Sequence, residues 1–437
     1  MPVDEAESKL TSVTANPAAK LLSQPLEVSC NFGTLWVGQA VSIVGSQFSI
    51  LSIQMIAVTF LRANPTQMGF LTASQTFPYL VLSLFVGVLV DRVSKRSLLL
   101  IADSVRAVML IAAAGLLVLG HMTISALCAI VCFISLFTLV FDAALGAAIP
   151  ELFDPSKRIA VNSRLNMSLA GGDVVGPTMS GLALRVVGIP GAMLLDSLTY
   201  AISAFCVFWG IPKRANRQRE EGVATQRAGI LRSVAQGIAF VATNRVLRVL
   251  GTGSAIWNFA WSAVLTVLVL HSVRDLKLTT VQIGFVFASG GVGGIAGSLL
   301  GWRLIKKFRQ GPVLVLTPLI GIAGGVVLLL PSKSNPFFVT ALGLFLYNLG
   351  ESSFGVNMQT VRQAVTPLHL MGRMDTAMRF CFKGMASLGA VAGGIVASRF
   401  GLRTTLLLGV TGLVVTFTLF VISNLYRFHL IADEPPH

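Results

Sequence analysis

The sequence predicts an all-α membrane protein with twelve transmembrane helices arranged as two related six-helix halves. The chain of 437 residues is 54% hydrophobic and only 12% charged, with a mean hydropathy of +0.78, whereas soluble domains carry about 25% charged residues. Apolar runs long enough to cross a bilayer, roughly 20 residues each, recur from Asn31 to Arg427. These runs do not alternate polar and apolar residues as barrel strands do, so they predict helices.

The twelve predicted spans follow one another with short connectors. They are 34–60, 67–90, 97–119, 122–148, 160–187, 190–211, 246–270, 280–303, 312–331, 336–360, 370–398 and 402–425. One alternate set of connectors is basic, with Arg92, Lys95, Arg96, Lys157, Arg158, Lys213, Arg214, Arg217, Arg219, Arg303, Lys306, Lys307 and Arg309. The positive-inside rule places this set in the cytoplasm, so both termini are predicted to be cytoplasmic. The net charge of +15 is thus spread over connectors, and no nucleic-acid partner is predicted.

A long polar connector near the midpoint divides the chain. The predicted organisation is a cytoplasmic tail 1–30, a first bundle 31–211, a linker 212–245, a second bundle 246–426 and a tail 427–437. The end of the linker carries apolar residues on one helical face, which suits a helix lying flat on the inner membrane surface. A cytosolic extension of the seventh span explains the same pattern.

The two halves repeat one another. Pro155 and Pro367 are 212 residues apart, and so are Gly181 and Gly393. Parallel six-helix repeats of this kind place their binding site between the halves, near the membrane midplane.

Two motifs connect the sequence to a known family. The residues after the second span read Gly87-Val-Leu-Val-Asp91-Arg92-Val-Ser-Lys95-Arg96, and the fifth span carries Gly172-x-x-x-Gly176-Pro177-x-x-x-Gly181. The first resembles the motif between helices two and three of the major facilitator superfamily, and the second resembles the motif of that family's exporters. Residues 35–47 and 347–405 resemble its bacterial drug-efflux branch, which includes enterobactin and macrolide exporters. The resemblance spans nearly all of 31–425 and implies the major facilitator fold.

The first motif is expected to form a cytoplasmic gate. Gly87 permits close helix approach, and the resemblance implies that Asp91 faces the positive N-terminus of the eleventh helix. Arg92, Lys95 and Arg96 would then pair with acids across the cytoplasmic mouth and hold the outward-open state. The alternative is that these three basic residues only determine topology.

The second motif is expected to shape the fifth helix. Gly172, Gly176, Pro177 and Gly181 would soften this helix and let it pack tightly. In related exporters this region is thought to limit leakage.

The fourth span departs from a pattern of related transporters. Related twelve-helix drug–proton antiporters carry an Arg in the fourth span, but residues 122–148 contain no Arg or Lys. The resemblance therefore does not extend to that route of proton coupling.

Carboxyl groups inside the spans are candidates for proton coupling. Asp142 and Glu351 lie on spans four and ten, 209 residues apart, and Asp173 lies beside the Gly-Pro pair of the fifth span. Ionisable residues within a membrane are costly and usually functional, and a carboxyl group held away from water binds a proton more readily. The alternative is ion pairing at the cytoplasmic end, for instance between Asp142 and Arg92.

Other charged residues within the spans are expected to have structural roles. Asp103 and Arg106 lie three residues apart on the third span and can form an ion pair on one helix face. Asp196, near the outer end of the sixth span, is interpreted as a loop or helix-end residue.

Polar and aromatic residues of several spans form the candidate cavity. They are Gln39, Gln47 and Gln54 of the first span, Trp257, Asn258 and Trp261 of the seventh, Asn348 of the tenth, and Arg379 and Lys383 of the eleventh. Large aromatic residues at mid-membrane depth are less expected than at the interfaces, which favours a cavity role. Packing against neighbouring helices is the alternative for the tryptophans. Arg379 and Lys383 form a basic face with Asp375 that can contact an anionic substrate.

These features predict a secondary active transporter that exports amphipathic small molecules by alternating access and proton antiport. A dedicated exporter of one metabolite, such as a siderophore, or a lysophospholipid flippase is the alternative, because fold does not determine substrate. Five scattered histidines without an HExxH motif, and the lack of a GxxxxGK[ST] loop, argue against an enzyme or an ATP-driven pump. We predict a monomer in a bacterial inner membrane, with no cofactor or metal; its partners are a small molecule, protons and the lipid bilayer.

Overall fold

The structure, a computed structural model, describes residues 32–153, 155–211, 230–330, 335–367 and 370–427. These residues form twelve long helices and one short connector helix. The first six long helices are α1 Phe32–Met55, α2 Pro65–Arg92, α3 Lys95–Val118, α4 Ile124–Leu152, α5 Pro155–Val186 and α6 Gly188–Gly210. The connector helix is Ile230–Thr243, and the second six are α7 Arg245–Arg274, α8 Thr280–Lys307, α9 Gln310–Leu328, α10 Pro336–Ala364, α11 Met371–Phe400 and α12 Leu402–Ile422. A π-helical turn Ile56–Phe60 extends α1.

All twelve long helices have membrane-spanning length, as the sequence predicts. In the described parts of the chain, nine of them are long and apolar enough to cross a membrane. The remaining α2, α5 and α10 contain 28, 32 and 29 residues, which also exceeds the roughly 20 residues that a bilayer requires. Large apolar side chains such as Phe85, Phe205 and Trp302 are exposed on the outside, as a lipid-facing surface requires.

The second helix of each half begins with a capping box. Asn64 accepts a hydrogen bond from the backbone N–H of Gln67, and the Gln67 side chain accepts one from the backbone N–H of Asn64, both at 2.9 Å. Thr279 and Gln282 form the equivalent capping box at the start of α8. Each box satisfies donors that a helix N-terminus leaves unpaired, so it fixes where the helix begins after a short connector.

Helix packing within the two halves follows one pattern. In the first half α1 packs against α5 and α6, α2 against α4, and α3 against α4 and α6. In the second half α7 packs against α11 and α12, α8 against α10, and α9 against α10 and α12. Each pair in one half has its counterpart six helices later, so the structure consists of two six-helix bundles related by a repeat.

The halves meet along two seams, α2 with α11 and α5 with α8. We call the end of the bundle that carries Arg92 and Arg303 the basic face, and the opposite end the neutral face. At the neutral face the Thr66 hydroxyl donates to Ser398 Oγ at 2.9 Å, and Arg274 donates to the carbonyl of Ala63 at 2.8 Å. The halves are therefore closed against each other at the neutral face.

Glycines allow the two seams to close. A Cβ at Gly181 of α5 would lie 3.3 Å from the Cα of Gly284, and a Cβ at Gly69 of α2 would lie 3.1 Å from the Cα of Gly394. Backbones this close have no room for side chains between them. Each seam therefore places a glycine of one half against a glycine of the other.

Toward the basic face the halves separate. The contacts between α2 and α11 reach Leu80 and Gly384, near the middle of both helices. Further along, Asn166 of α5 and Ser298 of α8 both line a cavity between the halves. The space between the halves is therefore open to the basic face.

The connector helix packs beside the first turns of α11. A Cβ at its Gly237 would lie 2.8 Å from the carbonyl carbon of Arg373, and Arg373 donates to the side-chain oxygen of Gln236 at 2.7 Å. The chain then breaks at Asn244, whose side chain accepts from the backbone N–H groups of Val246 and Leu247. The connector helix and α7 are thus two helices separated at Asn244.

Candidate functional site

The main cavity lies between the two halves and has a volume of about 690 Å³. It is lined by residues of α1, α5, α7, α8 and α10. The polar lining consists of Gln47, Asn166, Asp173, Ser298, Asn348, Glu351 and Ser352, and Trp261, Leu265 and Phe287 supply apolar surface. A set of polar groups on a mostly apolar wall is the usual construction of a small-molecule site.

The structure brings two of the predicted carboxyl groups, Asp173 and Glu351, to the main cavity. Gln47 of α1 donates to Asp173 of α5 at 3.4 Å, so these two predicted residues meet across a helix pair of the first half. Glu351 enters the cavity from α10 of the second half. The cavity thus receives one carboxyl group from each half of the molecule.

An aromatic stack forms the wall behind Glu351. The rings of Trp261 and Tyr347 stack with centroids 3.2 Å apart, and Trp257 lies 5.8 Å from Tyr347 on the same cluster. The indole N–H of Trp257 donates to the Tyr347 hydroxyl at 2.8 Å. Trp257 therefore orients Tyr347, and Tyr347 supports the Trp261 ring that borders the cavity. Trp261 borders the main cavity, whereas Trp257 is buried behind Tyr347 and reaches a second, smaller cavity.

A second, smaller cavity of about 210 Å³ adjoins the first. It is lined by Trp257, Asn258, Glu351, Arg379 and Lys383 together with apolar residues of α10 and α11. Glu351 lines both cavities, so its carboxyl group lies at their junction. Arg379 is held by Asp375, to which its Nε donates at 2.8 Å.

The third predicted carboxyl group, Asp142, lies outside these cavities at the interface of the halves. The Tyr79 hydroxyl of α2 donates to Asp142 at 3.5 Å, and Lys383 of α11 lies over the Tyr79 ring. Asp142 interacts electrostatically with Lys383 and also with Arg106 of its own half. The described contacts of Asp142 therefore lead to a tyrosine, and the suggested pairing with Arg92 is not among them.

The glycines of the second motif serve two helix interfaces. At Gly172 and Gly176 an added Cβ would run into Ile43 and Gln47 of α1, and at Gly181 it would lie 2.8 Å from the carbonyl oxygen of Thr280 on α8. The carbonyl of Pro177 in turn approaches Gly284. The motif thus packs α5 tightly on both sides, within its own half and across the seam.

The residues of the first motif make no described contact with the second half. Lys95 pairs with Glu151 at 3.3 Å, and Arg96 donates to the carbonyl of Phe208 at 2.8 Å. A Cβ at Gly87 would meet no described atom within 4 Å, so no close helix approach at Gly87 is seen among the described residues. The side chain of Asp91 lies outside the described residues, and Arg92 is exposed.

Three further residues lie away from the positions that the sequence suggested. Gln39 is buried inside the first half and donates to Ser203 at 3.1 Å, so it does not border the cavity. Gln54 lines only a small pocket of about 30 Å³ beside the main one. Asp196 is fully buried inside α6, and its interpretation as a loop or helix-end residue is wrong.

The structure also adds residues that the sequence interpretation missed, chiefly Tyr79, Asn166, Phe287 and Tyr347. Tyr347 precedes Glu351 by one helical turn, which places both on one face. This spacing in the sequence could have identified Tyr347 as a neighbour of Glu351. The positions of Asn166 and Phe287 depend on how α5 and α8 meet, which no local pattern encodes.

The match to a known family agrees with this geometry. Residues 35–390 match the sequence model of the Major Facilitator Superfamily, a range that covers most of the chain. The chain belongs to this superfamily. It is a multi-pass membrane transporter of that superfamily, with a small-molecule substrate.

Relatives of this major facilitator transporter include named efflux proteins. Macrolide efflux protein A of Streptococcus pyogenes is 26% identical over 396 residues, covering 87% of this chain and 92% of the relative. Multidrug efflux pump Tap of Mycolicibacterium fortuitum is 25% identical over 359 residues, covering 76% of this chain and 81% of the relative. The crystal structure of the nucleoside transporter NupG superimposes with a TM-score of 0.71 at 13% identity, covering 91% and 99% of the two chains. The last likeness concerns the fold alone.

Proposed function

We propose that this transporter exports amphipathic small molecules across the bacterial plasma membrane by alternating access, driven by inward proton flow. The observation that carries the proposal is the cavity of about 690 Å³ between the halves, which receives Asp173 from one half and Glu351 from the other. Rocking of two repeats around a fixed central site is the transport mechanism that such a construction favours.

The distribution of charge supports outward transport. The positive-inside rule places the basic face, with both termini, in the cytoplasm. The cavity that opens to the basic face then collects its substrate from the cytoplasm, while the seams at Gly181 and Gly69 seal the other side. The macrolide and multidrug efflux relatives support the same direction.

The cavity lining supports an amphipathic substrate. Drug-sized ligands occupy pockets of about 300–1,000 Å³, and this cavity falls in that range. Trp261 and Phe287 offer apolar surface, while Asn348 and Gln47 offer hydrogen-bonding amides.

The two carboxyl groups support proton coupling. In an antiport cycle a carboxyl group binds a proton when the cavity faces outward, and it gives the proton up when the cavity faces the cytoplasm and binds substrate. Glu351 is the first candidate because it lies at the junction of both cavities. Asp173 and Asp142 are the other two.

Lys383 and Arg379 favour a second candidate function. Their positive side chains line the smaller cavity, where an anionic group of a substrate would find partners. A dedicated exporter of an anionic metabolite, or a lysophospholipid flippase, would use this surface.

Dye transport in proteoliposomes tests the proposal. We expect an imposed proton gradient to drive transport of a fluorescent lipophilic cation by the wild type, and Glu351→Gln to abolish the gradient-dependent part. Asp173→Asn and Asp142→Asn identify which other carboxyl group is required. Asp275→Asn is the control, because this carboxylate pairs with His271 at the neutral-face end of α7 and should leave transport unchanged.

Two results would contradict the proposal. Dye transport that ignores the proton gradient would exclude proton antiport. Transport of an anionic metabolite or a lysophospholipid, without any transport of cations, would favour the second candidate.

A further inference from the structure

A sealed cluster of charged residues lies inside the first half, apart from both cavities. Asp103 and Arg106 of α3 and Asp196 of α6 are 0%, 4% and 0% exposed. The predicted ion pair is present, since Arg106 donates to Asp103. Its guanidinium lies between two rings, 4.3 Å from the centroid of Tyr200 and 4.6 Å from that of Phe141. Asp103 thereby has its counter-ion, and Asp196 has none of its own.

The described contacts of Asp196 are with uncharged groups. Its described hydrogen-bond partners are two hydroxyl groups, from Ser49 of α1 and Thr199 of α6. Thr199 Oγ1 lies 2.8 Å from the backbone carbonyl of Asp196 and 3.0 Å from its Oδ1. A hydroxyl group has one hydrogen, so it can donate to only one of these oxygens. A hydroxyl oxygen can also accept, so both contacts accommodate a carboxyl group that carries its own hydrogen.

A count of charges favours a neutral Asp196. Two carboxyl groups and one guanidinium leave one negative charge uncompensated if both acids are ionised. A buried charge without a partner is strongly unfavourable, and a buried acid avoids this cost by remaining neutral. Among the described residues the neighbours add no compensating cation. Those that face the cluster or Arg106 are Ser46 and Ser49 on α1, Tyr79 on α2, Asp142 on α4, and Tyr200 and Ser203 on α6.

We propose that Asp103, Arg106 and Asp196 form a proton-binding site in which Asp196 carries the proton and Asp103 stays ionised against Arg106. The carboxyl O–H of Asp196 donates to a neighbouring hydroxyl oxygen, and the ion pair beside it carries no net charge. The site holds one proton in this conformation. It lies outside the main cavity, so a substrate does not compete for it directly.

Arg106 links this site to the interface of the halves. It interacts electrostatically with both Asp196 and Asp142, and Asp142 in turn interacts with Lys383 of the second half. A movement of the halves that separates Lys383 from Asp142 leaves Asp142 to compete for Arg106. This linkage to transport rests on the proposed function, whereas proton binding at Asp196 does not.

Infrared spectroscopy of the purified protein in lipid nanodiscs tests the proposal without any substrate. At neutral pH the wild type should show the C=O absorption of a protonated carboxyl group. The frequency of this absorption should fall when the protein is labelled with [4-¹³C]aspartate. Asp196→Asn should remove the absorption of one such group. Ser49→Ala, which deletes a hydrogen-bond partner of Asp196, should shift that absorption without removing it. Asp275→Asn is the control and should leave the absorption unchanged.

The outcomes separate this inference from the proposed function. An unchanged aspartic acid absorption in Asp196→Asn, or its insensitivity to Ser49→Ala, would overturn the assignment of the proton to Asp196. The absence of any protonated aspartic acid in the wild type would overturn the site itself. Ser49→Ala keeps all charged residues, so it remains informative if Asp196→Asn fails to fold. The result of the dye transport experiment does not depend on which infrared spectrum is found, so the two proposals can fail separately.

Discussion

Lys383 of α11 lies against the ring of Tyr79 of α2, with its Nζ 5.3 Å from the ring centroid. The contact joins the two halves near the middle of the bundle, at the end of the α2–α11 seam. The Tyr79 hydroxyl donates onward to Asp142 at 3.5 Å. A cation of one half therefore meets an aromatic ring and a carboxyl group of the other half where the closed part of the interface gives way to the open part.

This contact should favour the conformation that is open to the basic face. Replacing Lys383 by Gln removes a cation–π contact worth about 0.5–1 kcal/mol, which corresponds to a shift of about two- to five-fold in the conformational equilibrium. Spin labels at the exposed positions Asn162 of α5 and Arg303 of α8 report the separation of the halves at the basic face. We expect Lys383→Gln to increase the population of molecules in which the two spin labels are close together.

Lys307→Gln is the matched control for Lys383→Gln. The Nζ of Lys307 lies 5.7 Å from the ring centroid of Phe308, its own neighbour in sequence. This contact therefore does not connect the two halves. An equal shift in both variants would show that the effect is one of general charge and not of the contact with Tyr79.

The α5–α8 seam should not tolerate a side chain. A Cβ at Gly284 would lie 2.5 Å from the carbonyl oxygen of Pro177 and 3.1 Å from the Cα of Gly181. Overpacking of this kind costs about 1–3 kcal/mol, so Gly284→Ala should lower thermal stability and increase labelling of cysteines placed at the neutral face. Gly146→Ala is the control, because a Cβ there meets no described atom within 4 Å. Equal stability of the two variants would contradict the described closure.

Much of the fold could be predicted from the sequence because long apolar runs and polar connectors determine helix positions. The predicted fifth span, 160–187, corresponds to Pro155–Val186, and the predicted eighth, 280–303, corresponds to Thr280–Lys307. The spans end at basic or capping residues, and these are local signals.

The site was only partly predictable because it depends on which helix faces meet. Asp173 and Glu351 reach one cavity, as mid-span carboxyl groups suggest. Gln39 has the same chemistry but points into its own bundle, toward Ser203. Asp196 was misplaced because distance along a span does not show whether a side chain faces water, lipid or a neighbouring helix.

The aromatic wall should depend on the hydrogen bond between Trp257 and Tyr347. Trp257→Phe removes the donor at 2.8 Å together with the five-membered ring, which should cost about 1 kcal/mol of stability for the hydrogen bond and more for the space left behind. Because Tyr347 supports Trp261, the variant should also weaken substrate binding, measured by the substrate concentration for half-maximal transport. Trp302→Phe is the control, since Trp302 is exposed on the outside. Identical stability and affinity of both variants would contradict a positioning role.

The connector helix should be held on α11 by close backbone packing. A Cβ at Gly237 would lie 2.8 Å from the Arg373 carbonyl carbon and 3.3 Å from the Cβ of Ala377. Gly237→Val should therefore detach the connector helix and increase hydrogen exchange in the first turns of α11. Gly372→Val, at a position where a Cβ meets no described atom within 4 Å, is the control. Unchanged exchange in Gly237→Val would show that the helix is held by other contacts.

The central claim is that substrate and protons move in opposite directions through one cavity. The most direct test records internal pH in proteoliposomes while a gradient of the transported dye alone drives its flow outward, without an imposed pH gradient. The account predicts that the lumen acidifies as dye leaves, and that Glu351→Gln removes this acidification while Asp275→Asn keeps it. Dye leaving through the wild type with no change in internal pH would contradict proton antiport.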